Sequence, residues 1–202
     1  LFAAACFMVL AALLDVADGA LARALRVHSV LGKDLDSLAD AVTFGVLPSF
    51  MVVVALRYQG FVFEWWTALP CCLAICAVLR LARFNNDPTQ ARYFRGLPSP
   101  AAALAMLGPV VQVGNTAPYE PHWVINPGML LLWSAGISAA MVSRVPLISF
   151  KLGFKTTWPY WLAILGLGLG SMVWLRGGFS IATTALYVVV SQAYFRRYPS
   201  AL

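Results

Sequence analysis

Apolar residues fill this chain in runs of about one bilayer's thickness, and short polar or Gly/Pro-rich stretches separate the runs. A membrane-spanning helix needs roughly 20 such residues. Inside lipid every backbone N–H and C=O must find an internal partner, so a spanning segment is either a helix or a strand of a closed barrel. The runs lack strict apolar/polar alternation, which excludes the barrel and predicts an all-α, polytopic transmembrane bundle. The pattern predicts seven spans, near 1–25, 35–57, 62–83, 98–115, 126–145, 158–175 and 178–195. The breaks carry turn residues: Arg57 to Gly60, Asn85 to Pro98, Asn115 to Pro127, Pro146 to Pro159, and Gly177-Gly178. The chain begins at Leu1 within an apolar run and without a charged leader, so a further helix is expected ahead of it.

Composition agrees with lipid as the solvent. The chain is 61% hydrophobic and 11% charged over 202 residues, against roughly 45–50% and about 25% in soluble domains. The net charge of +6 is informative through its placement. Counting alternate connections and the C-terminal end, 12 of the 14 Lys and Arg residues fall on one side of the predicted membrane. Only Arg57 and Arg176 fall on the other. Basic loops stay cytoplasmic, so this asymmetry orients the chain, and the membrane is expected to be the cytoplasmic membrane of a prokaryote. Spread over alternate loops, the basic residues form no single patch for nucleic acid.

Three other features have plain readings. Cys6, Cys71, Cys72 and Cys76 sit in apolar runs and are expected as packing residues. Trp65, Trp66, Trp123 and Trp158 lie near span ends, where indoles favour the interface. The GLGLG run at 166–170 follows no strand, so it reads as a close helix-packing surface and not a nucleotide loop.

The acidic residues are the ones that demand chemistry. Five of the eight lie between positions 15 and 40. A carboxylate in a span costs about 2.5–3.5 kcal/mol on insertion scales. At about 100° per residue, Asp15, Asp18, Gly19, Ala22 and Arg23 share one broad face of the first helix. Asp36 and Asp40, four apart, share a face of the second, with Gly32 and Thr43 above and below. Asp34 points away. A short linker makes the two helices a hairpin whose acidic faces can meet. Interfacial salt bridges would explain one Asp/Arg pair, but not four carboxylates on two matched faces. Such a group calls for a hard cation, Mg²⁺, Mn²⁺ or Ca²⁺. Gly19 and Ala22 leave room beside it, and Arg23 and Arg26 offer charge to a phosphate.

The segment fits D-x2-D-G-x2-A-R-x8-G-x3-D-x3-D at all eight fixed positions. It resembles the signature of the CDP-alcohol phosphatidyltransferases. That resemblance implies the family's membrane fold and a CDP-linked lipid donor. It also implies two divalent cations, Mg²⁺ or Mn²⁺, one on Asp15, Asp18 and Asp36 and one on Asp15, Asp36 and Asp40. Gly19, Ala22, Arg23 and Gly32 would meet the donor, CDP-diacylglycerol, and Asp40 would be the general base. The expected organisation is a single membrane-embedded catalytic domain, 1–202. Residues 1–145 form its core around the hairpin 11–45, and 146–202 add two helices. A homodimer through the membrane helices is also implied.

Further segments bear on the acceptor: Thr43-Phe44-Gly45-Val46-Leu47-Pro48, Arg80-Leu-Ala-Arg83-Phe84-Asn85, and Phe94-Arg95-Gly96-Leu97-Pro98-Ser-Pro100-Ala-Ala-Ala. These resemble the phosphatidylserine synthase branch, which implies L-serine as acceptor and phosphatidylserine and CMP as products. Serine needs a cation for its carboxylate and polar partners for its ammonium group. Arg83 and Arg95 are the favoured cations over Arg80 and Arg92, with Thr43 and Asn85 as polar partners. A sister reaction with glycerol 3-phosphate, inositol phosphate or choline is the near alternative. A cation transporter would place carboxylates in several spans, yet Glu64, Asp87 and Glu120 fall in connections. A purely structural membrane protein would leave the eight-position match unexplained.

Overall fold

A computed structural model describes residues 1–25, 30–61, 65–86, 94–115, 126–147 and 179–197. Seven helices make up the described chain: α1 (Phe2–Leu25), α2 (Val30–Ala41), α3 (Leu47–Tyr58), α4 (Cys71–Asn86), α5 (Ser99–Asn115), α6 (Pro127–Val142) and α7 (Phe179–Arg197). A π turn, Val42–Val46, joins α2 to α3, and a 3-10 turn, Trp65–Ala68, precedes α4. Among the described residues, three segments are long and apolar enough to cross a membrane: Phe2–Gly19, Asp34–Tyr58 and Trp65–Asn86. Two shorter apolar helices, Ser99–Gly114 and Pro127–Val142, accompany them. These are the helices of an integral membrane protein. The expected span at 158–175, the GLGLG run, Trp123 and Trp158 lie outside the described residues.

The bundle is organised around α5, which packs against α1, α3, α6 and α7. Small residues let it do so: Ala102, Ala103 and Ala105 are buried along with Met106 and Val110. In lipid, close packing of small residues replaces the hydrophobic drive between helices. Pro109 stands inside α5 and cannot donate to the carbonyl of Ala105 four residues back. That carbonyl instead accepts from Ser180 Oγ at 2.9 Å and Trp133 Nε1 at 3.4 Å. Neighbouring helices thus satisfy the group that proline frees, as a lipid-embedded helix requires.

The π turn has a similar cause. Pro48 lacks an N–H and its ring crowds the carbonyl of Phe44, so the regular ladder cannot run through this point. The helix widens, and the Leu47 N–H reaches the carbonyl of Val42, five residues back. Ser49 Oγ covers the carbonyl of Gly45 at 2.7 Å. Gly45 itself is where α4 comes closest: a Cβ there would stand 2.8 Å from Ala77 Cβ. The expected single span at 35–57 is therefore one continuous helical rod with a π turn just after Asp40.

Two corrections concern α4 and the cysteines. The helix runs to Asn86, past the expected end near 83, so Asn85 joins Arg80 and Arg83 on its last turns. Arg-Leu-Ala-Arg is a helix-favouring run, and the next proline is Pro88. Cys6, Cys71 and Cys72 are exposed at the protein surface and Cys76 is half-buried. Their apolar surroundings are lipid more than protein interior.

Residues after α4 and α6 are clipped together by a two-residue antiparallel ladder, β1 (Phe94–Arg95) and β2 (Pro146–Leu147), with Phe94 opposite Leu147 and Arg95 opposite Pro146. Gly96 N donates to Val145 O at 2.9 Å and Leu97 N to Ala140 O at 3.0 Å. Gly96 has φ +79°, and a Cβ there would collide with the Met141 carbonyl and lie 2.7 Å from the Ser143 oxygen. Gly96→Ala is expected to destabilise the fold by about 2–4 kcal/mol, combining left-handed strain with overpacking. Thermal unfolding in detergent checks this; an unchanged Tm would contradict it.

Candidate active site

α1 and α2 each present two aspartates at helical spacing, three apart on α1 and four apart on α2. Carboxylate oxygens of Asp15, Asp18 and Asp36 all lie within 4.8 Å of one another. A divalent ion bound at about 2.0–2.6 Å from each oxygen separates opposite ligands by roughly 4–5 Å, so these three carboxylates could hold one with little movement. Three hard oxygen donors with no sulfur or imidazole suit Mg²⁺, Mn²⁺ or Ca²⁺. Asp18 and Asp36 are exposed, and Asp15 and Asp40 are half-buried. Asp40 lies at hydrogen-bonding reach of Asp15, one turn along α2 from Asp36 and next to the π turn. Asp34 is exposed and outside this group.

Gly19 and Ala22 are half-buried on α1, on the turns that follow Asp15 and Asp18, and Gly32 is exposed near the start of α2. Arg23 belongs to α1, but its side chain lies outside the described residues, as does all of Arg26. Thr43 is half-buried in the π turn, one residue before the buried Phe44.

The expected acceptor residues of α4 and β1 divide. Asn85 Nδ2 donates to Ser37 Oγ at 2.8 Å, which ties the end of α4 to the residue following Asp36. Arg83 is exposed, and its Nη1 donates to the carbonyl of Val142 at 3.0 Å, covering the C-terminal end of α6. Arg95 is exposed, and its backbone belongs to the ladder with Pro146. Arg92 lies outside the described residues.

Arg80 is the arginine that the sequence reading underweighted. It is 7% exposed and shares the buried stripe of α4 with Leu73, Ala77 and Leu81. Its Nη1 donates to Ser99 Oγ at 2.9 Å, and its guanidinium carbon lies 5.7 Å from the centre of the Phe84 ring. Asp40 is within electrostatic reach of this cation. The signal was present in the sequence: residues 73, 77, 80 and 81 recur at core spacing, and a cation on that stripe cannot be a solvated loop residue.

Comparison with known proteins fits this geometry. The profile of the CDP-alcohol phosphatidyltransferase family matches residues 1–141, which include all four aspartates. The chain is 37% identical over 152 residues to the CDP-diacylglycerol–serine O-phosphatidyltransferase of Mycobacterium leprae (strain TN), covering 72% of this chain and 49% of that protein. It therefore spans about half the length of the mycobacterial relatives it matches. It is 35% identical over 141 residues to the protein so named in Bacillus subtilis (strain 168), covering 68% of this chain and 70% of the relative. With that of Helicobacter pylori (strain ATCC 700392 / 26695) the identity is 34% over 189 residues, covering 87% and 72%. The protein that brings these carboxylates together on two apolar helices belongs to the CDP-alcohol phosphatidyltransferase family.

Proposed function

We propose that the protein transfers the phosphatidyl group of CDP-diacylglycerol to the hydroxyl of L-serine, giving phosphatidylserine and CMP. The observation that carries this reading is the meeting of Asp15, Asp18 and Asp36, contributed by two membrane helices, with Asp40 beside them. The names printed for the relatives support serine as the acceptor.

In this reading Asp15, Asp18 and Asp36 hold one divalent cation, and Asp15, Asp36 and Asp40 a second, Mg²⁺ or Mn²⁺. When bound, the cations supply charge neutralisation for the donor's diphosphate and for the departing CMP. Gly19 and Ala22 give the cytidine diphosphate close access to α1, Arg23 meets its charge, and Gly32 flanks it from α2. Asp40 accepts the proton of the serine hydroxyl as the new O–P bond forms at the β-phosphorus. The bond from that phosphorus to the bridging oxygen breaks, and CMP leaves with the electron pair. Thr43, in the π turn after α2, and Asn85, bonded to Ser37, are the polar candidates for the serine headgroup. Arg83 and Arg95 remain candidates for its carboxylate, although each also holds the α6 end of the fold.

Acyl chains of the donor stay in lipid, so the site opens sideways at headgroup depth. The bias of 12 of 14 basic residues to one side supports a site at the cytoplasmic face of a prokaryotic inner membrane. The reading takes residues 1–202 as one catalytic domain, with 1–145 as its core and 146–202 adding two helices, and assembles the protein as a homodimer.

An acceptor panel tests the proposal. CMP release from CDP-diacylglycerol is measured with serine, glycerol 3-phosphate, inositol phosphate and choline in turn. Release that depends on serine is expected; release with another alcohol alone would move the protein to a sister reaction.

A further inference from the structure

Among the described basic side chains, Arg80 alone is drawn into the protein: Arg57, Arg83, Arg95, Arg144 and Arg196 are exposed. Its surroundings come from several helices. Ser99, fully buried at the start of α5, accepts from Nη1 at 2.9 Å. Phe84, one turn further along α4, lays its ring against the guanidinium. Tyr187, on α7, is 8% exposed and lies within electrostatic reach of the same cation. Asp40 is the acidic group within its reach.

Removing a guanidinium from water is costly unless an opposite charge meets it. The attraction is mutual, so a cation that cannot move also fixes the carboxylate it faces. α4 packs directly on α2 and on the π turn that follows Asp40. The approach of Gly45 to Ala77 and the Asn85–Ser37 hydrogen bond bracket this contact, so Arg80 stands level with the end of α2 that carries Asp40.

We propose that Arg80, held by Ser99, is a positioning residue that orients Asp40 for proton transfer from the acceptor alcohol. The inference rests on Asp40 acting as the base, as proposed above.

The test compares Arg80→Lys, Arg80→Met and Ser99→Ala in the full chain, reconstituted in vesicles containing CDP-diacylglycerol. For each variant kcat and KM for serine and donor are measured, together with the thermal shift produced by donor plus Mn²⁺. Misplacing a reacting group by about 1 Å costs on the order of 100-fold, so Arg80→Met should lower kcat by about that factor. Arg80→Lys should recover most of the loss and Ser99→Ala should lower kcat about threefold, with KM values and the donor-induced shift retained throughout. A raised KM for serine at unchanged kcat would overturn the proposal by assigning Arg80 to acceptor binding. Loss of the donor-induced shift in both Arg80 variants would overturn it by reducing Arg80 to support of the fold. If Arg80→Met does not fold, the other two variants decide, and wild-type kcat in both overturns the proposal. The wild-type protein separates this from the acceptor assignment. Should it use another alcohol, the same constants are read with that alcohol; should it release no CMP with any, both readings fall.

Discussion

Asp40→Asn is expected to lower turnover by about 10³-fold, within the range attributed to a positioned general base. The amide has nearly the same shape, so it keeps the packing of α2 against α4 but cannot take a proton. Donor binding should survive in large part, because Asp15, Asp18 and Asp36 gather without Asp40 in their group. The measurement is kcat alongside the thermal shift on adding CDP-diacylglycerol and Mn²⁺. Near-wild-type kcat would remove the base from Asp40. A lost donor shift would make Asp40 chiefly a metal and donor residue.

The second large effect concerns the cation. Asp15 and Asp36 stand on different helices, and in the proposed two-cation arrangement both cations use both residues. Losing a hydrogen-bonding partner outside the coordination sphere typically weakens metal affinity by roughly 10–100-fold. Losing a ligand should cost more, so Asp15→Asn and Asp36→Asn should each raise the Mn²⁺ concentration for half-binding by more than about 100-fold. Mn²⁺ titration followed by electron paramagnetic resonance reads this directly. Asp34→Asn serves as the control, since Asp34 is exposed and outside the group. Equal weakening by all three substitutions would show only a general loss of surface charge.

Helix periodicity made the carboxylate group legible before any coordinates. Residues three or four apart must share a face, so Asp15 with Asp18 and Asp36 with Asp40 could be paired, and Asp34 set aside, from spacing alone. The meeting of the two faces was harder to foresee, because it depends on how α1 and α2 pack. The π turn was not foreseen, although Pro48 following Gly45 carried the cue. A proline that removes one ladder bond permits either a kink or a widened turn, and here the widened turn lays Gly45 against Ala77. Arg80 was obscured because it was weighed with the basic residues of the following connection, although position 80 lies inside the expected span 62–83. The cysteines show the limit of apolar patterning in lipid: a residue facing the bilayer and one facing another helix have the same hydrophobicity.

The segment Phe94 to Pro98 shows a different ambiguity. Its resemblance to an acceptor-side motif drew attention to Arg95, yet the clearest structural demand there is on Gly96, whose φ of +79° lets the backbone close against Met141 and Ser143. A motif residue can be held by the backbone it permits as much as by the substrate it touches.

The most direct test of the account follows both products in metal-depleted protein reconstituted with CDP-diacylglycerol. Serine is added first, and Mn²⁺ or Mg²⁺ afterwards. The account predicts no CMP before the cation, and then CMP and phosphatidylserine in one-to-one yield. CMP released without added cation, or released with no phosphatidylserine formed, would contradict it.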